Sequence, residues 1–479
     1  MKQLCLGCGM IMTVMAHTLI AQPDSSPTDT TLLFGFDDFY QIVQAYHPVV
    51  SQAQLLSQQA VQQLRSAKGA FDPKLEAQWK NKSYQGTEYY DLRDVYLKLP
   101  LRFPVRPKVG YEHHEGEYLN PENYISESSN RRQLAMGVSV DLGRGMFIDQ
   151  SRATLRQAEL MQEMAEAEQV KLINKMLLDA AKDYWNWYLA YTNYELLRQS
   201  IGLAQDIYDR TKLSFTYGEV AAVDTLQALI LLQQRSTDLQ QADIQRAQAG
   251  LSLSNHLWNE DGQPLRLPDG AQPDSLTMDQ LSLEELESLL TRAQENHPEL
   301  ASLQLKQQSL EIDQGLAREN LKPVLQLDYS LLNQPIGVDG ESADVRVRED
   351  YKVSVNFVMP LFLRKERAKL AQTRLKLQDN LLDQRFTQRE ILNDIRGQYV
   401  GLTTTQDLLV QQQQMVDNYR RLVEAEQFNL ENGESDLFKI NAQLDKWIDA
   451  QSKLLKLQTD YQKNKATLYW YAGLPNLSF

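Results

Sequence analysis

Residues 47–79 read HPVVSQAQLLSQQAVQQLRSAKGAFDPKLEAQW, and residues 297–329 read HPELASLQLKQQSLEIDQGLARENLKPVLQLDY. Each stretch opens on a His-Pro pair and places a second proline 25 residues after the first, Pro48 to Pro73 and Pro298 to Pro323; the offset is 250. Further along, GVSVDLGRGMFIDQSRATL (137–155) answers KVSVNFVMPLFLRKERAKL (352–370) at an offset of 215. That offset still holds at Tyr184/Tyr399 and at Gly218-Glu219/Gly433-Glu434. A duplication this extended means one structural unit used twice. The difference of 35 between the offsets places an insertion in the first copy, between Tyr84 and Arg131.

The hydrophobic period changes in the same order within each copy. A short helix is expected over about 47–70 and 297–320, with Pro48 and Pro298 at N1, where a missing N–H costs nothing. Strands follow. Leu75, Ala77 and Trp79 alternate with Glu76, Gln78 and Lys80, and Leu134, Met136, Val138 and Val140 alternate with Ala135, Gly137 and Ser139. In the second copy Leu325, Leu327, Tyr329 and Leu331 oppose Gln326, Asp328 and Ser330, while Val353, Val355 and Phe357 oppose Lys352, Ser354 and Asn356. Period two with one polar face is a half-buried strand. Four such strands per chain, each of about ten residues, have the length that crosses a bilayer when tilted.

After the strands each copy enters a proline-free helical segment, 149–216 and 364–431. At 1.5 Å per residue each makes a rod of about 100 Å. Leu381, Ile395, Leu402, Leu409, Val416, Val423 and Leu430 recur at heptad spacing, with Gln388 as the exception. The positions 215 earlier are Glu166, Ile173, Ala180, Trp187, Tyr194, Ile201, Tyr208 and Phe215. A sustained heptad is a coiled-coil seam. Glycine turns at Gly218 and Gly433 lead to shorter return helices, 219–258 and 434–472. A short helix and a return helix stacked end to end nearly equal the long helix, so four antiparallel columns per chain are expected.

Residues 259–282 are rich in Pro, Gly and Asp and read as a linker off the rod. The helices in FDDFYQIVQAYHP and EELESLLTRAQENHP, which precede the two His-Pro pairs, are expected to form a belt around its middle. The organisation is thus a signal peptide over 1–21, a first repeat over 22–258, the linker, and a second repeat over 283–479. The inserted segment 85–130 alternates Leu97, Leu99, Leu101, Phe103 and Val105 with charged residues, but Pro100, Pro104 and Pro107 interrupt it; its tyrosines suit an interface girdle or an extracellular loop.

Composition narrows the setting. Residues 1–21 carry one charge, Lys2, and an apolar run, as a secretory signal does. Both cysteines, Cys5 and Cys8, lie inside it, so the mature chain would lack disulfides and thiol chemistry. Removing Lys2 takes the formal charge from −14 to −15, which disfavours a nucleic-acid partner. No run is long enough to span a bilayer as a helix. Phosphate loops, Ser-His-Asp order and zinc spacings are not recognisable, so no catalytic, cofactor or metal residues are assigned and the chain does not read as an enzyme. His113 and His114, adjacent in a strand, would face opposite ways. His47 and His297 read as helix-start residues, and Tyr184, Trp185, Trp187, Tyr188 and Tyr191 as packing aromatics. Strands in lipid must leave no unpaired edge, so other copies of the chain must satisfy them.

The duplication, the paired His-Pro–helix–Pro–strand openings, and the turns LSFTYGEVAAVDTLQA (213–228) and FNLENGESDLFKINAQ (428–443) together resemble the TolC family of outer-membrane efflux ducts over nearly the whole mature chain. The resemblance implies an α+β membrane protein in which three copies share a 12-stranded β-barrel and an α-helical barrel. It also implies a location in the outer membrane extending into the periplasm. The duct would serve a tripartite efflux or type I secretion system, with a periplasmic adaptor and an inner-membrane transporter as partners and an iris-like gate. The helix turns become the periplasmic tips, where Leu213, Gly218, Glu219, Phe428 and Gly433 would meet the adaptor. Family members place acidic residues past this turn. Here Asp224 matches Lys439 at offset 215, with Glu434 and Asp436 nearby. A mixed ring is expected, in which Lys439 pairs with Asp436, Glu434 or Asp224 of a neighbouring helix. A periplasmic coiled-coil adaptor or scaffold is the alternative, disfavoured by the symmetric strands.

Overall fold

The computed structural model describes residues 32–268, 270–276, 278–279, 281–333, 349–432 and 434–474. Residues 1–21, read above as a signal peptide, and Gly433 lie outside the described residues. Both long rods form where the seams place them: α3 spans Gln150–Thr216 and α7 spans Arg364–Glu431. Their heptad positions Ala180, Trp187, Ile395, Leu402, Val416 and Val423 are buried.

Each long helix carries two shorter ones. In the first copy these are α2 (Pro48–Lys68) and α4 (Ala222–Ser254), both packed along α3. In the second copy α6 (Pro298–Glu319) and α8 (Leu437–Tyr471) lie along α7 and also touch α3, which joins the two copies. The short helices stack end to end as their lengths require. The His47 ring, at the start of α2, stacks on His256 just past α4, with centroids 5.6 Å apart. Gly473, just past α8, lies against His297 and Pro298 at the start of α6. Both histidines cap their helices, with Nδ1 accepting from the amides of Val49 and Glu299 at 3.2 Å. Burial, together with His256 alongside, lowers the His47 pKa to about 4.

The belt also forms. Helix α1 (Phe36–Tyr46) buries Phe36, Phe39 and Val43 against Tyr184, Trp185 and Trp187 of mid-α3. Helix α5 (Leu283–Asn296) buries Leu289 and Ala293 against Ile391, Ile395 and Leu402 of mid-α7. The aromatic cluster is therefore core. The segment 259–282 does not stand off the rod. It carries strand β6 (Ala271–Pro273), parallel to β1 (Leu32–Phe34), and its Leu267 and Leu276 pack on the belt core. Its prolines and glycines shape a path across an apolar surface.

The expected count of four strands is corrected to six. The sheet runs β2 (Lys74–Tyr84), β3 (Thr87–Lys98), β4 (Val105–Glu115), β5 (Arg132–Asp141), β7 (Val324–Asn333), β8 (Tyr351–Val358), every neighbour antiparallel. The insertion supplies β3 and β4. Two of its prolines do not interrupt strands at all, because Pro100 and Pro104 fall in the turn between them. Pro107 sits near the start of β4, where its carbonyl accepts from the Leu99 amide beyond the end of β3 (2.9 Å) and its missing N–H leaves no ladder bond broken. Gln85 and Gly86, both with positive φ, make the two-residue turn from β2 to β3.

Candidate functional site: a two-faced sheet and paired helical tips

Register assigns every strand residue to a face. Leu75 pairs with Leu97, Leu97 with Val109, Val109 with Met136, Met136 with Leu331 and Leu331 with Tyr351. This apolar row crosses all six strands. One residue over, Lys74, Lys98, Lys108, Gly137, Ser330 and Lys352 form the corresponding row on the other face. That second face is polar and internally paired: Lys98 with Glu76 at 2.6 Å, Arg106 with Asp141 at 2.7 Å, and His114 with Asp94 at 2.7 Å. Tyr96 covers Gly110, where a Cβ would collide with its ring, and donates its hydroxyl to Glu112. An apolar face and a hydrated face on one sheet is the arrangement of a membrane barrel wall with a polar lumen.

All four connections to the helical columns leave the sheet at one end, the end of Lys74, Asp141, Val324 and Val358. There Phe147 and Phe362, matched in the repeat, are exposed and carry cations over their rings: Lys322 at 4.4 Å and Arg364 at 5.2 Å. At the far end Tyr89 contacts Tyr84 and Tyr118, and Lys82 lies 4.7 Å over its ring. Aromatic residues thus stand at both rims. His113 and His114 face opposite sides; His113 meets Glu115 at 3.0 Å and His114 Nδ1 meets the Asn123 carbonyl at 2.9 Å.

At the other end of the rods each long helix turns into its return helix. The Gly218 amide donates to the Phe215 carbonyl and the Glu219 amide to the Ser214 carbonyl, both at 3.0 Å, with Gly218 at φ +76°. These bonds define a Schellman cap, which a Cβ would disfavour. In the second copy the Glu434 amide donates to the Asn429 carbonyl at 2.9 Å, the matching bond. The two tips pack together through Ala204, Ile207, Ala228 and Leu231 of the first copy and Leu437 and Ile440 of the second.

The charge difference at 224 and 439 has a local structural origin. In the first copy the Asp224 carboxylate accepts from the Ala221 amide at 3.0 Å. In the second, Asp436, which matches Ala221, caps α8 by accepting from the Lys439 amide at 2.9 Å. Each copy therefore uses one half of a capping box, placing its carboxylate at opposite ends of the same pair. Lys439 Nζ lies 3.8 Å from Asp436 within its own helix, and both side chains are exposed. Leu213, Tyr217, Phe428 and Phe438 are exposed apolar side chains at these tips.

A charged link between the copies escaped the sequence reading. Arg235 of α4, only 4% exposed, donates to Asp445 of α8 and, at 3.3 Å, to Asp238. The signal was present at offset 215, where Arg235 matches Ala450 and Asp445 matches Ile230.

Residues 289–474 match the family described as outer membrane efflux protein. No curated protein sequence matches the chain. Among solved structures, the fold is similar to the CmeC outer membrane channel of Campylobacter jejuni (14% identity, TM-score 0.65, covering 91% of this chain and 85% of that one). It is similar to the outer membrane protein VceC of Vibrio cholerae (15%, 0.65, 91% and 95%). A membrane protein from Pseudomonas aeruginosa is similar over 97% of both chains, at 14% identity and a TM-score of 0.66. The duplicated rods and the two-faced sheet thus share the fold of these outer membrane channels, and the second copy, over residues 289–474, matches the outer membrane efflux protein family.

Proposed function

We propose that three copies of this chain form the outer-membrane exit duct of a tripartite efflux or type I secretion system. The observation that carries the reading is the sheet: one chain supplies an apolar outer face, a polar inner face and two unpaired edges, and all its helical columns leave from one end. In lipid those edges must be satisfied by other strands. A periplasmic adaptor would instead hold Leu75, Trp79, Val355 and Phe357 in water, where nothing covers them.

The rods extend the barrel into the periplasm as a helical tube, and the duct conducts passively. The tips form its entrance. Their exposed Leu213, Tyr217, Phe428 and Phe438 offer the adaptor a surface, with Gly218 and Glu219 setting the first-copy turn beneath it. Asp224, Glu434, Asp436 and Lys439 stand near the mouth and set its charge. Opening there requires the second-copy tip to slide against the first, across the Leu437 and Ile440 contact and the Arg235–Asp445 link. Purified protein in planar bilayers should give discrete channels, and cross-linker placed at Tyr217 should capture an adaptor in cells. A trimer that conducts in neither the presence nor the absence of adaptor refutes the duct.

A further inference from the structure

We infer that the barrel closed by three copies has eighteen strands, with β2 of one copy pairing antiparallel to β8 of the next. The inserted β3–β4 hairpin is then a widening of the membrane pore rather than an appended loop. The inference rests on the trimeric reading above and adds the strand count and the identity of the joined edges.

Three observations carry it. First, the hairpin is integral. Strand β2 reaches the rest of the sheet only through β3, from Lys74↔Lys98 to Tyr84↔Thr87, and β4 is joined to β5 from Val105↔Val140 to His113↔Arg132. Removing the hairpin from the wall would detach β2. Second, the inserted strands have the same two faces as the others. Val95, Leu97, Val109 and Tyr111 continue the apolar side, and Asp94, Lys98, Lys108 and Glu112 continue the polar side. A hairpin folded into the lumen or over the outer rim has no use for a face in register with the lipid-facing residues of β5 and β7. Third, the free edges match. Strands β2 and β8 are the two ends of the sheet, and every residue of both is exposed. Strand β2 runs away from the helices and β8 runs toward them, so neighbours around a ring meet antiparallel, as all other pairs here do. Each otherwise leaves a row of unpaired N–H and C=O groups in lipid.

Three sheets of six strands give eighteen, against twelve for a four-strand plan. Barrel diameter grows roughly linearly with strand number, so the membrane section is about one and a half times as wide, in the range where porins hold an aqueous channel.

Cysteine pairs test the joined edges in a Cys5→Ser/Cys8→Ser background. Glu76→Cys, Gln78→Cys and Lys80→Cys on the lumen face of β2 are each combined with Ser354→Cys or Asn356→Cys on β8. A second set places cysteine at Lys108 or Glu112 of β4 against the same β8 positions. Native mass measurement first establishes that each variant is a trimer. The expected result is a covalent dimer-and-trimer ladder for at least one β2–β8 pair and none for β4–β8. Cross-linking through β4–β8 means that the wall closes on four strands per chain, and overturns the inference while leaving the trimer intact. A trimer with no β2–β8 cross-link at any position also overturns it. A species that is not a trimer overturns the proposed function itself. Cryo-electron microscopy of the wild-type protein in lipid nanodiscs reads the strand count directly, eighteen or twelve, without any substitution.

Discussion

Leu97→Arg is the sharpest single test of whether the inserted strands touch lipid. Leu97 is second in the apolar row from Leu75 to Tyr351, one residue from the helix-side end of β3, and is 42% exposed in the single chain. An arginine on the lipid face costs about 2–4 kcal/mol at the bilayer midplane and about 0–1 kcal/mol near an interface, so at Leu97, close to the helix-side rim, about 1 kcal/mol per copy is expected. In a trimer the cost is incurred three times, so about 3 kcal/mol is lost per assembled barrel. The control is Gln78→Arg on β2, which adds the same side chain to the opposite, lumen-facing side; its cost should stay within about 0.5 kcal/mol per copy. Denaturant titration of protein refolded in lipid vesicles measures the difference, and the temperature at which the folded band converts on gels gives an independent reading. Equal stability of the two variants would show that β3 does not face lipid, whatever its hydrogen bonding.

Gly218→Val should cost roughly 1–2 kcal/mol per copy, because φ +76° places a β-branched side chain in the left-handed region; a melting curve checks this. Asp445→Ala leaves the buried Arg235 with Asp238 alone and should cost about 1–3 kcal/mol, whereas adding Arg235→Met should restore most of it; a urea double-mutant cycle decides. His47 has a folded-state pKa of about 4 against an ordinary 6.5, so between those values the unfolded chain binds a proton that the folded chain does not. Stability should therefore fall as pH drops from 6.5 to 4, and His47→Asn, which retains a capping side chain, should flatten that part of the Tm–pH curve. Lys439→Ala should change folding stability by no more than about 0.5 kcal/mol, since its ion pair is exposed. It should nevertheless raise cation selectivity in single-channel recordings if the residue stands at the entrance; unchanged selectivity removes it from the mouth.

Much of this molecule is written in short-range pattern. The heptad seams run to Phe215 on one rod and to Leu430 on the other, and α3 and α7 follow them to within a residue of the expected ends. Alternation in 75–79, 134–140, 325–331 and 353–357 marks four strands because side-chain direction alone decides which residues face lipid. The inserted hairpin was obscured for a specific reason. Prolines break an alternation read along the chain, whereas Pro107 is harmless once its strand end and its partner are known, and that is a statement about pairing. The charge mismatch at Asp224 and Lys439 was visible, but its meaning was not. Capping depends on which backbone N–H each carboxylate reaches, and Asp224 and Asp436 reach opposite ends of equivalent turns. Arg235 and Asp445 meet across more than two hundred residues, and only packing could bring them together.

Sequence by itself therefore determined the duplicated plan, the rod lengths, the level of the tips and the presence of a membrane-facing sheet, since each follows from local periodicity and spacing. Tertiary structure decided the number of strands in that sheet, the apolar and polar faces of the inserted hairpin, the seating of 259–282 on the belt, and the link between the copies. Those depend on pairing and burial between distant segments, which carry no period along the chain.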